Sequence, residues 1–340
     1  MEGRNSMRSA LSFEVEAAVN ALNIQPSDNL DNIPFDTAHL AVVQLLCRHF
    51  TSLSEYVGEM NRLVSDAVNQ RAHLICFPAF AGMLPLPFLP EFSKLEDSFR
   101  LGPNGLPNFL KLSDALAFFS APMMEVFQGT MSALAMKHRI YILAGSAIHL
   151  DNHRTFCHRA FLFDDTGSLA GYQDKVSASL LERELGIEEA GEVKLLETPV
   201  GPLSILIGGD VNLFETVRVA KNLGAQMILN PSVFPGERSP VDDADGLNLR
   251  VQENPIYGVQ IVMVGDTGLG FQLTGNACVY APLTLYRSHA KNGIQMRSSG
   301  LPRSELLLSR LNLASLAGIR DPYRQDTNPE LMAAYIEKLY

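Results

Sequence analysis

The decisive stretch is TPVGPLSILIGGD, Thr198–Asp210, continued by VNLFETVRVAKNLGAQMILNPS, Val211–Ser232. Leu203–Ile207 is a short, largely apolar run bounded by Gly201-Pro202 and by Gly208-Gly209. A strand covered on both faces reads this way, because neither face needs a polar row for solvent. A helix near Leu213–Leu223 follows, and Met227–Leu229 is again strand-like. The segment is a strand–helix–strand unit, for which a right-handed crossover is the default.

A second unit of the same kind lies upstream. His39–Leu46 is apolar enough for a doubly covered strand, and Ser52-Leu53-Ser54-Glu55 has the S-x-x-E form of a capping box. Leu53, Tyr56, Val57, Met60, Val64, Ala67 and Val68 then recur at helical spacing and define one buried stripe. The strand Leu74–Phe77 closes the unit at Pro78. Between the two units come a loop rich in proline and phenylalanine, Met83–Pro107, and helix-like sequence over Met123–Lys137. The strands Tyr141–Ile148 and Ala160–Phe163 follow, with a turn at Asp164-Asp165-Thr166-Gly167. Gln260–Gly265, Cys278–Tyr280 and Glu305–Leu311 add further strands without helices between them. The pattern predicts layered α/β structure, mixed sheets packed on each other with helices outside. Residues 1–38 read as an extension, because a Pro/Asp/Asn-rich stretch from Gln25 to Pro34 precedes the first strand.

Three segments together resemble the nitrilase superfamily, whose members hydrolyse amides and nitriles with a Glu–Lys–Cys triad. Ala72-His73-Leu74-Ile75-Cys76-Phe77-Pro78-Ala79 is similar to its strand ending in FPE. Asp164-x-x-Gly167, Gly171-Tyr172-Gln173-Asp174-Lys175 and Glu182 resemble its lysine motif and the glutamate that follows seven residues later. Thr198–Asp210, Glu215-x-x-Arg218 and Gly224-Ala225 through Leu229-Asn230-Pro231-Ser232 resemble its nucleophile elbow and the strand beyond. Weaker echoes are Arg250-x-x-Glu253-Asn254 and Asn328-Pro329-Glu330-Leu331. The resemblance runs in family order from about His39 to the C-terminus. It implies a four-layer αββα sandwich, two mixed β-sheets face to face, over residues 39–318, with 319–340 a tail at a dimer contact. The aromatic tail residues Tyr323, Tyr335 and Tyr340 suit such an interface.

Carried over residue by residue, the family chemistry is incomplete. It needs a glutamate as general base, a cysteine as nucleophile and a lysine for the oxyanion. Lys175 matches the lysine, and Glu182 matches a second glutamate bordering the pocket. Ala79 stands where the resemblance puts the base, and Gly208 where it puts the nucleophile. Neither can accept a proton or attack carbon, and loss of a nucleophile costs about 10⁶-fold in a well-studied hydrolase triad. Phe77, Gly209, Asp210, Asn230 and Ser232 are expected to line the pocket. Cys76 lies an odd offset from Ala79, so alternation predicts opposite faces. Cys47 and Cys278 read as small buried apolar residues. Ser177 and Ser179 flank Lys175 closely enough for a Ser–Lys arrangement to be weighed. With Ala79 in place of an anion, Glu182 is the carboxylate expected within hydrogen-bond reach of Lys175.

Composition narrows the partners. The net charge of −10 and pI near 5.3 argue against nucleic-acid or anionic-membrane surfaces. The apolar runs are strand-sized, the N-terminal segment lacks an apolar signal region, and the four cysteines are scattered without CxxC spacing. These features fit a cytoplasmic protein with reduced thiols. No cofactor or metal is expected. His149-Leu150-Asp151-Asn152-His153 reads as a solvated hairpin loop, and Asp242, Asp243 and Asp245 lack the spacing of a calcium loop. Gly268-Leu269-Gly270 has Leu273 where a dinucleotide fingerprint needs its third glycine. The expectation is a catalytically inactive family member that binds a small amide, amine or carboxylate, or a partner, and forms a homodimer. The alternative readings are a carbon–nitrogen hydrolase with a rearranged site, and a purely structural subunit.

Overall fold

The computed structural model describes residues 9–31, 33, 36–151, 153–236, 246–285, 293–319 and 328–339. The first unit is β1 (Thr37–Leu46), α2 (Leu53–Asn69) and β2 (Leu74–Cys76), preceded by α1 (Ala10–Asn20). The short α3 (Phe92–Leu95) and the long α4 (Phe109–His138) lead to β3 (Tyr141–Leu150), β4 (Phe156–Phe163), β5 (Leu169–Asp174) and α5 (Leu180–Glu184). The second unit is β6 (Leu203–Ile205), α6 (Phe214–Leu223) and β7 (Met227–Pro235). Helix α7 (Leu247–Glu253) follows, then β8 (Tyr257–Asp266), β9 (Gln272–Thr274), β10 (Cys278–Tyr280), β11 (Ile294–Arg297), β12 (Glu305–Asn312) and α8 (Pro329–Leu339).

The strands form two mixed halves. One runs β5-β4-β3-β2-β1-β12, with β1, β2 and β3 parallel and the rest antiparallel. The other runs β6-β7-β8-β10-β11, with β6, β7 and β8 parallel. Three buried clusters define the layers. Leu40, Val42, Leu74, Leu143 and Leu162 of the first half meet Leu203, Leu229, Val259 and Ile261 of the second in an inner core. Ala41, Val43, Ile75 and Ile142 point outward onto α1, α2 and α4, and Leu206 and Ile228 point outward onto α6 and α7. This is the four-layer αββα sandwich. The halves are not separate sheets, however. Gln44–Leu46 at the end of β1 pair in parallel with Val262–Val264 of β8, so one ladder joins both.

Local sequence explains the outer helices. Ser52 caps α2 by accepting from Glu55 N, while the Glu55 carboxylate takes Thr51 N rather than closing the box on Ser52. Tyr56, Val57, Met60, Leu63, Val64 and Ala67 of α2 are buried. The expected boundary at residues 38/39 falls inside β1, because pairing with β12 begins at Thr37. The stretch ahead of it contains α1, whose Val15 and Val19 are buried in the outer core beside α4. The Asp242, Asp243 and Asp245 run and the tail tyrosines Tyr323 and Tyr340 lie outside the described residues. No helix among the described residues is long and apolar enough to cross a membrane.

Candidate functional site

A cavity of about 430 Å³ opens at the carboxyl ends of the parallel strands, where α/β sheets usually place ligands. The end of β2 contributes Ala79 and Phe80, the end of β6 contributes Ile207, Gly208 and Gly209, and β7 contributes Val233 and Pro235. Lys175, directly after β5, and Glu182, on α5, line it with His158 of β4.

Lys175 is buried, and its ammonium donates to Ile207 O at 2.8 Å. Asp210 Oδ1 lies 3.5 Å from Nζ and Glu182 Oε2 lies 3.9 Å away. The expected hydrogen bond to Glu182 is therefore corrected to an ion pair. Asp210, also buried, is the nearer carboxylate. Its two oxygens accept from Ile207 N at 3.1 Å, Val176 N at 3.1 Å and Ser177 N at 2.9 Å. This fastens the turn after β6 to the segment carrying Lys175. Gly208 has φ +52°, a left-handed conformation that glycine adopts without a side-chain penalty. A Cβ built there would sit 3.7 Å from Lys175 Nζ, so the backbone presents this position directly to the ammonium.

Glu182 serves two ends at once. Oε2 accepts from Ser179 N at 2.7 Å, completing a capping box on α5, and Oε1 lies 2.5 Å from His158 Nδ1. Burial raises its pKa, but the bond and charge of His158, the Lys175 ammonium and Ser179 N outweigh that and hold it at about 2. Burial lowers His158 from its ordinary value despite the Glu182 contact, and Lys175 adds to that, so the ring is neutral. With Nδ1–H donating to the carboxylate, Nε2 accepts from Ser146 Oγ at 2.7 Å. Ser146 Oγ in turn accepts from Phe80 N at 3.2 Å, and the Phe80 ring lies over the imidazole at 4.6 Å.

Neither Ser146 nor His158 was expected here. A register shift between Leu143 and Gly145 inserts one extra residue in β3, so Ser146, opposite Ala160, faces inward. A Cβ at Gly145, φ +86°, would come within 2.0 Å of Pro78 O, so the bulge depends on glycine. For His158 a signal existed: it shares parity with the inward residues Ala160 and Leu162.

Several expected lining residues lie elsewhere. Phe77 is buried on the helix side of the first half and does not face the cavity. Alternation fails past Cys76 because β2 ends there and Phe80 turns left-handed at φ +59°. For the same reason Cys76 and Ala79 share the inner core rather than opposite faces. Asp210, Asn230 and Ser232 stand behind the wall. Asn230 Nδ2 donates to Leu206 O at 2.6 Å and Gly208 O at 3.0 Å, and Ser232 Oγ donates to Asn230 Oδ1 at 2.8 Å. Gly209 does line the cavity. Ser179 Oγ is engaged by Glu182 N at 3.3 Å.

Cys157 is the thiol closest in sequence to this network, but as the neighbour of His158 on β4 it points to the other face. Its Sγ lies 3.5 Å from His149 Nε2, and burial pushes the thiol up to about 12. His149 is turned to that thiol while His153 is exposed, and among the described residues no three His, Cys, Asp or Glu side chains converge.

The family model for carbon-nitrogen hydrolases matches residues 39–285, well over half the chain. The protein belongs to the carbon-nitrogen hydrolase family. A curated relative, the probable hydrolase YhcX of Bacillus subtilis (strain 168), is 22% identical over 260 residues, covering 74% of this chain. The chain spans about half of that protein, 47% of its length. Among solved structures, the amidase from Nesterenkonia sp. AN1 superposes with a TM-score of 0.66 at 19% identity, covering 89% of this chain and 98% of that one. A double mutant of the same amidase in complex with acrylamide gives a TM-score of 0.66 at 20% identity, covering 89% and 99%. At these identities the likeness speaks for the fold.

Proposed function

We propose that this chain is a ligand-binding member of its family that does not run Glu–Lys–Cys chemistry. The cavity takes a small amide, amine or carboxylate without hydrolysing it. One observation carries the reading. The two strand ends that bracket Lys175 present Ala79 and a left-handed Gly208, and neither supplies a base or a nucleophile. The Nesterenkonia amidase takes covalent addition of an acetamide moiety at its active-site cysteine, whereas the resemblance puts Gly208 at that place here. The test is turnover of simple amides, nitriles and a para-nitrophenyl ester, beside a thermal-shift screen of the same compounds. Stabilisation without turnover is expected. Turnover lost in Lys175→Ala would refute the reading.

A hydrolase with a rearranged site is the second reading, and two features favour it. Ser146, His158 and Glu182 follow the order hydroxyl, imidazole, carboxylate of an acyl-transfer triad. Cys157 supplies a buried thiol beside an imidazole. Against it, Ser146 is wholly buried outside the cavity wall, and the Cys157 thiol is held at about 12. Ester turnover abolished by Ser146→Ala or Cys157→Ala would establish this reading. We also propose a homodimer, with residues 319–340 at the contact. Leu180 and Leu181 on α5, Phe214 and Val219 on α6, and Leu331 on α8 are exposed, a surface that suits such a contact. A monomeric mass by light scattering would refute it.

A further inference from the structure

A second chamber of about 310 Å³ adjoins the first. The two share a partition that includes Phe80, Met83, Leu181, Leu269 and Phe271. Beyond it the walls are Leu84, Leu86, Phe92, Met263 and Leu273, and Cys47 stands at the side. An apolar space of this size behind a polar cavity is unexplained by a ligand as small as a simple amide.

We propose that the two chambers together bind an elongated neutral amphiphile, a primary amide of a medium-length acyl chain. Its carbonyl meets Lys175 and its tail passes the partition into the second chamber. The inference rests on the ligand-binding reading above and names its ligand class. The head follows from the hydrogen-bond inventory. Both oxygens of Glu182 are occupied by His158 and Ser179, and both of Asp210 by backbone amides, so an entering ammonium finds no open carboxylate. A carboxylate would join two others around one ammonium. Lys175 makes one short hydrogen bond, to Ile207 O, and its next partner is 3.5 Å away, which leaves donor capacity for a neutral carbonyl oxygen. The tail follows from the walls. Met83, Leu181 and Leu269 are unbranched at Cβ and can yield, and none of Leu84, Leu86, Phe92, Met263 and Leu273 offers a polar side chain to the tail.

The experiment is a binding series of straight-chain primary amides from propanamide to decanamide on the full chain, by calorimetry. Each added methylene is expected to tighten binding roughly fourfold until the second chamber is full. Leu86→Trp, which fills only the second chamber, should cancel the gain for octanamide and leave propanamide binding unchanged. Should that variant fail to fold, alkylation of Cys47 gives an independent readout on the wild type. Cys47 is half-buried, while Cys76, Cys157 and Cys278 are buried. At octanamide ten times its Kd, Cys47 labelling should slow about tenfold by mass action, and saturating propanamide should not protect it. Short amides that bind with no gain from lengthening, and no protection of Cys47, overturn this inference and leave the binding reading standing. Octanoate binding more tightly than octanamide overturns the head assignment. Absence of binding by every amide overturns both.

Discussion

The two strand ends that meet at Lys175 have opposite characters. After β6, Gly208 offers no side chain, yet everything around it is polar and engaged: Asp210 holds three backbone amides and approaches Lys175, and Asn230 holds the Gly208 carbonyl. After β2, Ala79 and Phe80 are apolar, and the polar partner of this end comes from β3 through Ser146 Oγ. The difference separates scaffold from chemistry. A buried polar network cannot lose one member cheaply, because its partners are then unsatisfied in low dielectric. A reacting side chain that nothing else depends on can be absent without structural cost.

The comparison is most exposed at Asp210. Asp210→Ala removes the acceptor of three backbone N–H groups and the nearer carboxylate of a buried ammonium. The expected loss is about 3–5 kcal/mol in denaturant unfolding, the range for breaking a buried pair. A loss below about 1 kcal/mol, the worth of an exposed pair, would mean that the polar end is as dispensable as the apolar one. Ser146→Ala is the counterpart at the first end. It strands Phe80 N and His158 Nε2, and the expected cost is about 1–3 kcal/mol. A larger loss than for Asp210→Ala would invert the comparison.

What could be read from the sequence divides along the same line. The β6–α6–β7 unit, Lys175 and Glu182 were legible because apolar runs and motif spacing are properties of consecutive residues. Ser146 and Phe77 were not. The first is brought inward by a bulge, and the second is displaced from the cavity by a strand that stops at Cys76. Such phase changes leave the alternation pattern misleading rather than absent. Asp210 was named, but as a wall residue; that it faces backbone amides from another segment is a long-range fact. Helix α4 starts at Phe109, well before the expected Met123, since exposed Leu110 and Phe118 blur its buried stripe. Helix α1 escaped notice because so short a segment buries only Val15 and Val19.

Acid sensitivity should belong to the first end alone, since only it carries an imidazole. Burial lowers His158 in the folded chain, so on acidification the unfolded chain binds this proton first, from an ordinary value of 6.5. The stability from keeping the ring neutral is complete above that value and declines as pH falls below it, at most about 1.4 kcal/mol per pH unit. Glu182 acts lower. Its contribution is complete above the ordinary 4.5 and is lost as pH falls toward about 2. Between pH 6.5 and 4.5 the two do not overlap. His73, His138 and His149 are lowered to about 4 by burial and decline over the same window, so the readout is a difference. His158→Gln should show a shallower fall of unfolding free energy with acidity than wild type. Parallel curves would remove the imidazole from the account of this end.

The smallest effect concerns the backbone both ends share. Each turns through the left-handed region, Phe80 at φ +59° and Gly208 at φ +52°. The conformation costs a non-glycine residue about 1–2 kcal/mol, from crowding of Cβ against the following carbonyl. Phe80 bears that cost while its ring covers His158, and Gly208 avoids it. Gly208→Ala should therefore destabilise by about 1–2 kcal/mol, with an unchanged denaturant slope. Steric crowding adds little, because the new Cβ would meet Lys175 Nζ at 3.7 Å, an ordinary contact. The same variant leaves propanamide binding intact if the cavity beside Lys175 has room for one methyl. A loss well above 2 kcal/mol would show that the space over Gly208 is needed by something besides the backbone. No loss would show that the turn relaxes, and the two strand ends would then differ less than their side chains indicate.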